Sequence, residues 1–253
     1  MQLVDIAMSV KCSERARADA RPDSRRRAFA RLLAFFAAAA IVGCIAFPER
    51  AEPPRYSAAA TCPSVHESSG GPCYFTLASS RFEISQAGMG QRKTSAQNTE
   101  FSLPLLEGEW IERLSFVDYQ GDVILFVSVT DNGESGGSVV VRLDGETLSP
   151  IWSCRIPGFN LSPATIEPGA IYVGAVGLVS RIEPDTGRFE WLHGNLYDSR
   201  SGRFNAFEPP DVGSSCVTFR ESLAPGMERS EEVQIHKATG ERLSGSRIAT
   251  LCR

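Results

Sequence analysis

Beyond Phe101 the hydrophobic residues recur with the period of strands. Asp122 to Val129 is a continuous apolar run bounded by turn residues, and Ser138 to Leu143 alternates after its valines. Ala170 to Val173, Leu178 to Ile182, Cys216 to Phe219 and Val233 to Ile235 are further β-branched segments. Helical periodicity is absent throughout this part. Upstream, Tyr74 to Leu77 and Phe82 to Ile84 read as short strands. Gly88 to Glu100 is polar with two glycines and reads as a loop or second linker. Pro48 to Ala60 reads as an extended spacer, because Pro53-Pro54 cannot continue a helix.

One segment breaks this pattern. Arg25-Arg26-Arg27 stands before Leu32 to Phe47, 16 residues without a charge. A cationic flank stays on the cytoplasmic side while the apolar run enters the bilayer, which places the rest of the chain outside the cytoplasm. Three readings stay open. With Ala28 to Ala30 added and Arg31 snorkelling, the run becomes a marginal membrane span. Ile41-Val42-Gly43-Cys44 resembles a bacterial lipobox, with Cys44 as the lipidation candidate. A cleaved signal segment is the third reading, and Arg26-Arg27-Ala28-Phe29 resembles a twin-arginine export signal. Of the chain's 26 basic and 30 acidic residues, eight basic and four acidic ones precede Cys44, which leaves a net −8 beyond it. An acidic exported part makes nucleic acid a poor partner.

An internal repeat runs through the β-rich part. Val141 to Trp152 (VRLDGETLSPIW), Ser180 to Trp191 (SRIEPDTGRFEW) and Val233 to Ser244 (VQIHKATGERLS) each hold a strand, a tight turn with Thr, and a second strand. Trp152 and Trp191 occupy the same repeat position, as do Thr186 and Thr239, and Gly187 and Gly240. A β period near 40 residues is that of propeller blades.

Ile171 to Trp191 resembles the blade repeat of quinoprotein-like β-propellers, whose pattern is A-x-D-x-x-T-G-x-x-x-W. Thr186, Gly187 and Trp191 match, with Glu183 where Asp is usual. The first copy matches at Asp144, Thr147 and Trp152, with Leu148 for Gly. The last matches at Thr239 and Gly240, with His236 at the Asp position and Ser244 at the Trp position. The resemblance implies that Gly permits positive φ in the turn and that the Trp ring packs between blades. Within the superfamily the chain is most similar to the tethered, non-enzymatic scaffold of outer-membrane assembly. It lacks the adjacent Cys-Cys pair and the length of the quinoprotein dehydrogenases. The expected architecture is therefore all-β, a propeller-like array of about four blades, either closed or else incomplete or open, behind a single N-terminal membrane or signal helix. The expected division is a polar cytoplasmic segment 1–23, an anchor or signal 24–47, an extracytoplasmic linker 48–100, and the propeller-like domain 101–253.

Export permits disulfides. Cys62 and Cys73 bracket a Ser/Gly/Pro-rich stretch and form the candidate pair; with His66 they could also be drawn as three zinc ligands, a set short of a fourth. Cys154, Cys216 and Cys252 are left with no pairing that can be read. Gly133-Glu134-Ser135-Gly136-Gly137 fits G-x-S-x-G, but it lies between two strands, where a hairpin is the plainer reading. Asp131, Asn132 and Glu134 lack the spacing of a known calcium loop. His193 and His236 are isolated, and Glu112, Glu183 and Asp185 have nothing to pair them as acid and base. Neither a catalytic constellation nor a cofactor or metal site is expected. The function expected is that of a non-catalytic binding or scaffold module of the bacterial envelope, whose partner is an envelope protein or glycan. The alternative is a reduced quinoprotein-type enzyme or cofactor-binding protein. Within the insertion Asn195 to Gly213, Tyr197, Phe204 and Phe207 are the candidate partner contacts, against a plainer reading in which these aromatics tuck onto the domain.

Overall fold

The computed structural model describes residues 13–14, 53–63, 71–131, 134–194, 196, 206–222 and 232–244. These residues contain strands and no helix. Four antiparallel meanders follow one another along the chain. The first sheet is β4 (Cys73–Leu77), β5 (Ser80–Ile84), β6 (Met89–Lys93) and β7 (Asn98–Ser102). The second is β8 (Glu109–Tyr119), β9 (Asp122–Asp131), β10 (Glu134–Leu143) and β11 (Pro150–Ile156). The third is β12 (Thr165–Glu167), β13 (Ala170–Ala175), β14 (Leu178–Ile182) and β15 (Phe189–His193), and the fourth is β16 (Asp211–Val212), β17 (Cys216–Arg220), β18 (Glu232–His236) and β19 (Arg242–Leu243). At the outer edge of the second sheet, β1 (Ser13–Glu14) lies opposite Ser153 and Trp152, although residues 1–23 are expected on the cytoplasmic side.

Burial explains why some strands are apolar throughout and others alternate. In β9, Val123, Leu125, Val127 and Val129 enter the cluster shared with the first sheet, while Ile124 and Phe126 enter the cluster shared with the third. A strand covered on both faces must be apolar at every position. In the fourth sheet only Val217, Phe219, Val233 and Ile235 enter the cluster shared with the third sheet. Thr218, Gln234 and His236 alternate with them and are half-buried. The first sheet likewise buries Phe75, Phe82, Ile84 and Phe101, and turns Glu83, Gln91, Lys93 and Glu100 the other way. Each fully buried large aliphatic or aromatic side chain contributes roughly 1.5–3 kcal/mol. Apolar clusters thus join sheet to next sheet three times, and among the described residues none joins the fourth to the first.

Two expectations change here. Gly88 to Glu100, expected as loop or linker, carries β6 and most of β7, so the boundary placed at Phe101 falls inside a strand. Its inward positions include Gly90, against which the Phe101 ring lies so closely that a Cβ would come within 2.3 Å of Cζ. With a glycine as the inward residue and polar residues on the outer face, the segment shows no hydrophobic alternation.

Residues 55–61 are no free spacer. β2 (Arg55–Tyr56) pairs with β12, β3 (Ala58–Ala59) pairs with β8, and Thr61 bridges Tyr74 of β4. This strap crosses the inner edges of three sheets in succession. Ser57, at its middle, is buried; its N–H donates to Ala164 O (2.9 Å) and its Oγ accepts from Ala164 N (2.8 Å). It satisfies edge groups that would otherwise be unpaired. Cys62 and Cys73 are joined in a disulfide that closes the strap's end onto β4, so neither is a thiolate for the zinc set. Cys216 is also disulfide-bonded, and Cys154 keeps a buried thiol.

Candidate functional site

The frame is held by a device repeated between sheets. Trp152 of β11 donates its indole N–H to Pro184 O in the β14–β15 turn (2.8 Å). Its ring lies under Gly187, where a Cβ would stand 2.6 Å from Cδ2 and Cε3. Trp191 of β15 donates to Lys237 O in the β18–β19 turn (3.1 Å), and its ring lies under Gly240, with 2.7 Å to the nearest ring atom. Both glycines have positive φ, 72° and 69°. Each therefore meets two requirements that only Gly satisfies together.

An arginine opposite each Trp across the ladder reaches the same carbonyl. Arg142 pairs with Trp152 and donates to Pro184 O (3.0 Å), while Arg181 pairs with Trp191 and donates to Lys237 O (2.7 Å). In the first sheet Arg92 pairs with Thr99 and donates to Gly145 O and to Glu146 O (2.7 Å) of the next turn. Here no indole covers the turn, and the Gly position is Leu148, at φ 59° with its side chain buried in the first cluster. Leu148 replaces Gly where the ring is missing, and its own side chain fills the interface.

The turn acceptors follow one rule. Thr147 Oγ1 donates to Asp144 (3.0 Å), Thr186 Oγ1 donates to Glu183 (2.6 Å), and Thr239 Oγ1 donates to His236 Nδ1 (3.0 Å). Asp, Glu and His are interchangeable here because each offers an acceptor to the Thr hydroxyl. Half-buried charge is also used between sheets. Tyr172, fully buried, donates to Glu167 Oε1 (2.9 Å), which also accepts from Lys237 Nζ (2.7 Å) of the fourth sheet. Burial, and then the Glu167 bond and charge, push the Tyr172 phenol far above its ordinary value. His193 Nε2 donates to Gly240 O, so this histidine is a sheet-to-sheet tie.

Meander topology sorts the links between strands to two ends. The staple turns lie at one end. The β5–β6, β7–β8, β9–β10, β11–β12, β13–β14 and β15–β16 links share the other, tied by Ile111 N to Gln86 O (2.8 Å), Val176 N to Phe159 O (3.0 Å) and Leu196 N to Gly177 O (3.0 Å). Of the insertion 195–213, Leu196 is held at this loop end by that bond. Phe207, a candidate contact, is instead 5% exposed; its ring packs edge-on to Phe219 and over Gly174. The tucked-in reading is the correct one for Phe207, because Gly174 leaves a slot for the ring. Tyr197, Phe204, His66, Cys44 and Cys252 lie outside the described residues.

Ser135 sits within β10 opposite Thr130, in a hairpin with β9, and no helix follows it. It cannot form a nucleophile elbow of the strand-to-helix type. Among the described residues no group of three or more His, Cys, Asp or Glu is placed to hold a metal. Asp185 is an ion-pair partner of Arg142 (3.0 Å) and Glu183 is the Thr acceptor above; Glu112 is exposed. An open groove of about 430 Å³ beside the strap is lined by Thr61, Tyr74, Thr76, Arg81 and Phe116, with Arg81 stacked 5.1 Å over the Tyr74 ring.

Sequence reasoning missed the loop-end turn before β8. Glu109, 5% exposed at its side chain, takes Leu106 N–H on Oε2 (2.7 Å) and the guanidinium of Arg155 across both oxygens, Nη1 to Oε1 at 2.7 Å. Burial alone would raise the Glu109 carboxyl; the Arg155 bonds and the Leu106 N–H outweigh it and hold the group below its ordinary value. The signal available was weak: a Gly-Glu-Trp triplet opening a strand.

No protein-family model and no curated protein matches the chain. Among solved structures it is similar to BamB from Moraxella catarrhalis, at 12% identity and TM-score 0.26, over 58% of this chain and 53% of that one. The chain thus spans about half the length of that BamB. It is also similar to the WD40 domain of Pan2 from Neurospora crassa, at 9% identity and TM-score 0.30, over 75% of this chain and 72% of that one. The fold stands on its own sheets and staples.

Proposed function

We propose that the protein is a membrane-tethered, extracytoplasmic binding module of the bacterial envelope, non-catalytic, whose β-sheet array is an open propeller-like frame for loops that recognise a protein or glycan. The observation that carries this reading is how the polar chemistry between the sheets is used. Half-buried Arg142, Arg181, Lys237 and His193 each bond from one sheet to the next, and buried Tyr172 holds Glu167, the acceptor of Lys237. Groups committed to holding a frame are unavailable for turnover, and a rigid frame with loops at one end suits recognition. Disulfides at Cys62–Cys73 and at Cys216 support an oxidising compartment, in line with the cationic and apolar leader. A bilayer between residues 1–23 and the array would forbid the two-residue pairing of Ser13 and Glu14 with β11, a contact too short to oppose insertion.

Topology and binding are tested in turn. A C-terminal fusion to a reporter active only in the cytoplasm should be silent in the full chain; activity overturns the exported placement. Capture from membranes with the intact N-terminal segment should then recover an envelope partner that is lost when residues 199–205 are deleted. Unchanged capture removes the insertion from the binding surface.

A further inference from the structure

Among the described residues four large hydrophobic side chains are strongly exposed: Tyr56, Met89, Leu106 and Trp110. Three of these belong to the loop end, at the starts of β6 and β8. Leu106 and Trp110 are 61% and 51% exposed and are held by one rigid turn. Glu109 N–H donates back to Leu106 O (3.1 Å), and the buried Glu109 carboxylate receives both Leu106 N–H and the Arg155 fork. A buried carboxylate forked to a half-buried arginine beneath two exposed apolar side chains is a preorganised contact. The ordering entropy that a binding loop normally loses is already spent in the free protein. Single exposed hydrophobics need no explanation, but a half-exposed tryptophan on a pinned turn is the residue type enriched at interface centres, and Leu106 adds apolar area beside it.

The rim around this pair is acidic. Glu107 lies in the turn, Glu112 follows Trp110 on β8, and Asp131, exposed, stands opposite Glu109 with its Oδ1 3.3 Å from where a Cβ on Gly108 would be. Arg113, exposed beside them and bonded to Asn160 Oδ1 (2.6 Å), keeps its charge, and Arg155 is balanced by Glu109, so the three carboxylates outnumber the cation of the rim. Such a rim repels anionic lipid headgroups and a second copy of this acidic chain, and favours Lys and Arg.

Resting on the binding-module reading, we infer that the Leu106–Trp110 turn is the docking site for a segment of a partner protein that joins large apolar side chains with Lys or Arg. The probe is a random dodecapeptide library displayed on phage, panned against the full chain in phosphatidylcholine nanodiscs. Selected peptides should combine Phe, Leu, Ile or Trp with Lys or Arg. They should bind L106S/W110S and, separately, E107K/E112K at least about tenfold more weakly than the parent, with thermal midpoints unchanged. They should also lower acrylamide quenching of the tryptophan emission that W110F removes. Peptides that bind parent and L106S/W110S alike overturn this site and leave the binding-module reading standing. Acidic peptides overturn the chemistry assigned to the partner. Trp110 shielded from acrylamide before any peptide is added means that a membrane or a second copy covers it, and the inference fails. Recovery of no peptide counts against both readings.

Discussion

Gly187→Ala tests the staple most directly. An alanine at φ 72° costs about 1–2 kcal/mol for the left-handed backbone alone. Its Cβ would also stand 2.6 Å from two atoms of the Trp152 ring, itself 2% exposed and tied through Nε1 to Pro184 O. Overpacking against a fixed buried group costs about 1–3 kcal/mol more, so the single substitution should cost about 2–5 kcal/mol. In a Trp152→Leu background the ring is gone, and Gly187→Ala should cost only the backbone part, about 1–2 kcal/mol. Urea denaturation of the four proteins in this cycle gives the coupling as the difference between the two penalties. Arg142 still donates to Pro184 O in the Leu background, so no orphaned carbonyl confuses the comparison. Equal penalties in both backgrounds would refute the argument that the ring demands the glycine. The first interface already resembles the Leu background, since Leu148 holds a left-handed φ there without an indole over it.

Two further outcomes follow from the same contacts. Because the Glu109 pKa is depressed in the folded protein, its contribution to stability is complete above the unfolded value near 4.5 and is lost as pH falls through the folded value. Thermal midpoints should therefore drop more steeply below about pH 4.5 in the parent than in Glu109→Gln, and parallel curves would remove the Arg155 fork as the cause. Cys62→Ser/Cys73→Ser opens a loop with sequence separation 11 and should cost roughly 2–3 kcal/mol by loop entropy; it should also speed trypsin cleavage after Arg55 as the strap loosens, and an unchanged cleavage rate would separate strap from disulfide.

How much was legible depended on whether a residue's pattern reports its surroundings. Asp122 to Val129 was readable because a strand buried on both faces must be apolar throughout. The Thr-Gly turns and Trp152 and Trp191 stood out because one residue type alone fits each place. The strand Met89–Lys93 did not, since its inward residue is Gly90, which carries no hydrophobic signal. The strap was legible only as extended chain: Ser57, Ala58 and Ala59 look like a linker, and their role lies in backbone hydrogen bonds that any sequence can make. Phe207 was misplaced because an aromatic among polar neighbours reads the same whether it faces solvent or a slot left by a distant glycine. The Glu109–Arg155 fork joins residues 46 apart, and neither carries a local cue to the other.

The staples also differ between the end sheets and the middle ones. Those at Trp152 and Trp191 each use an Arg–Trp donor pair on an outer hairpin and a turn carbonyl on the next sheet. In the fourth sheet the residue at the Arg position is Gln234, whose Oε1 is buried without a hydrogen-bond partner; the Trp position is Ser244, and Leu243 is the residue across the ladder from Gln234. In the first sheet the corresponding turn, Thr94 to Gln97, is closed by Thr94 Oγ1 and contains no residue of positive φ. Among the described residues the last sheet thus lacks the Arg–Trp donors and the first lacks a receiving turn of positive φ, so no staple of the kind seen at Trp152 and Trp191 links these two sheets. The alternation in β5 and β18 contrasts with β9 and β14, their counterparts in the middle sheets, which are buried at most positions. The end sheets carry polar residues such as Glu83, Lys93, Thr218 and Gln234 on the faces turned away from the shared clusters. Their polar outer faces, together with the loop end, are therefore where the surface is free to vary without loosening the frame.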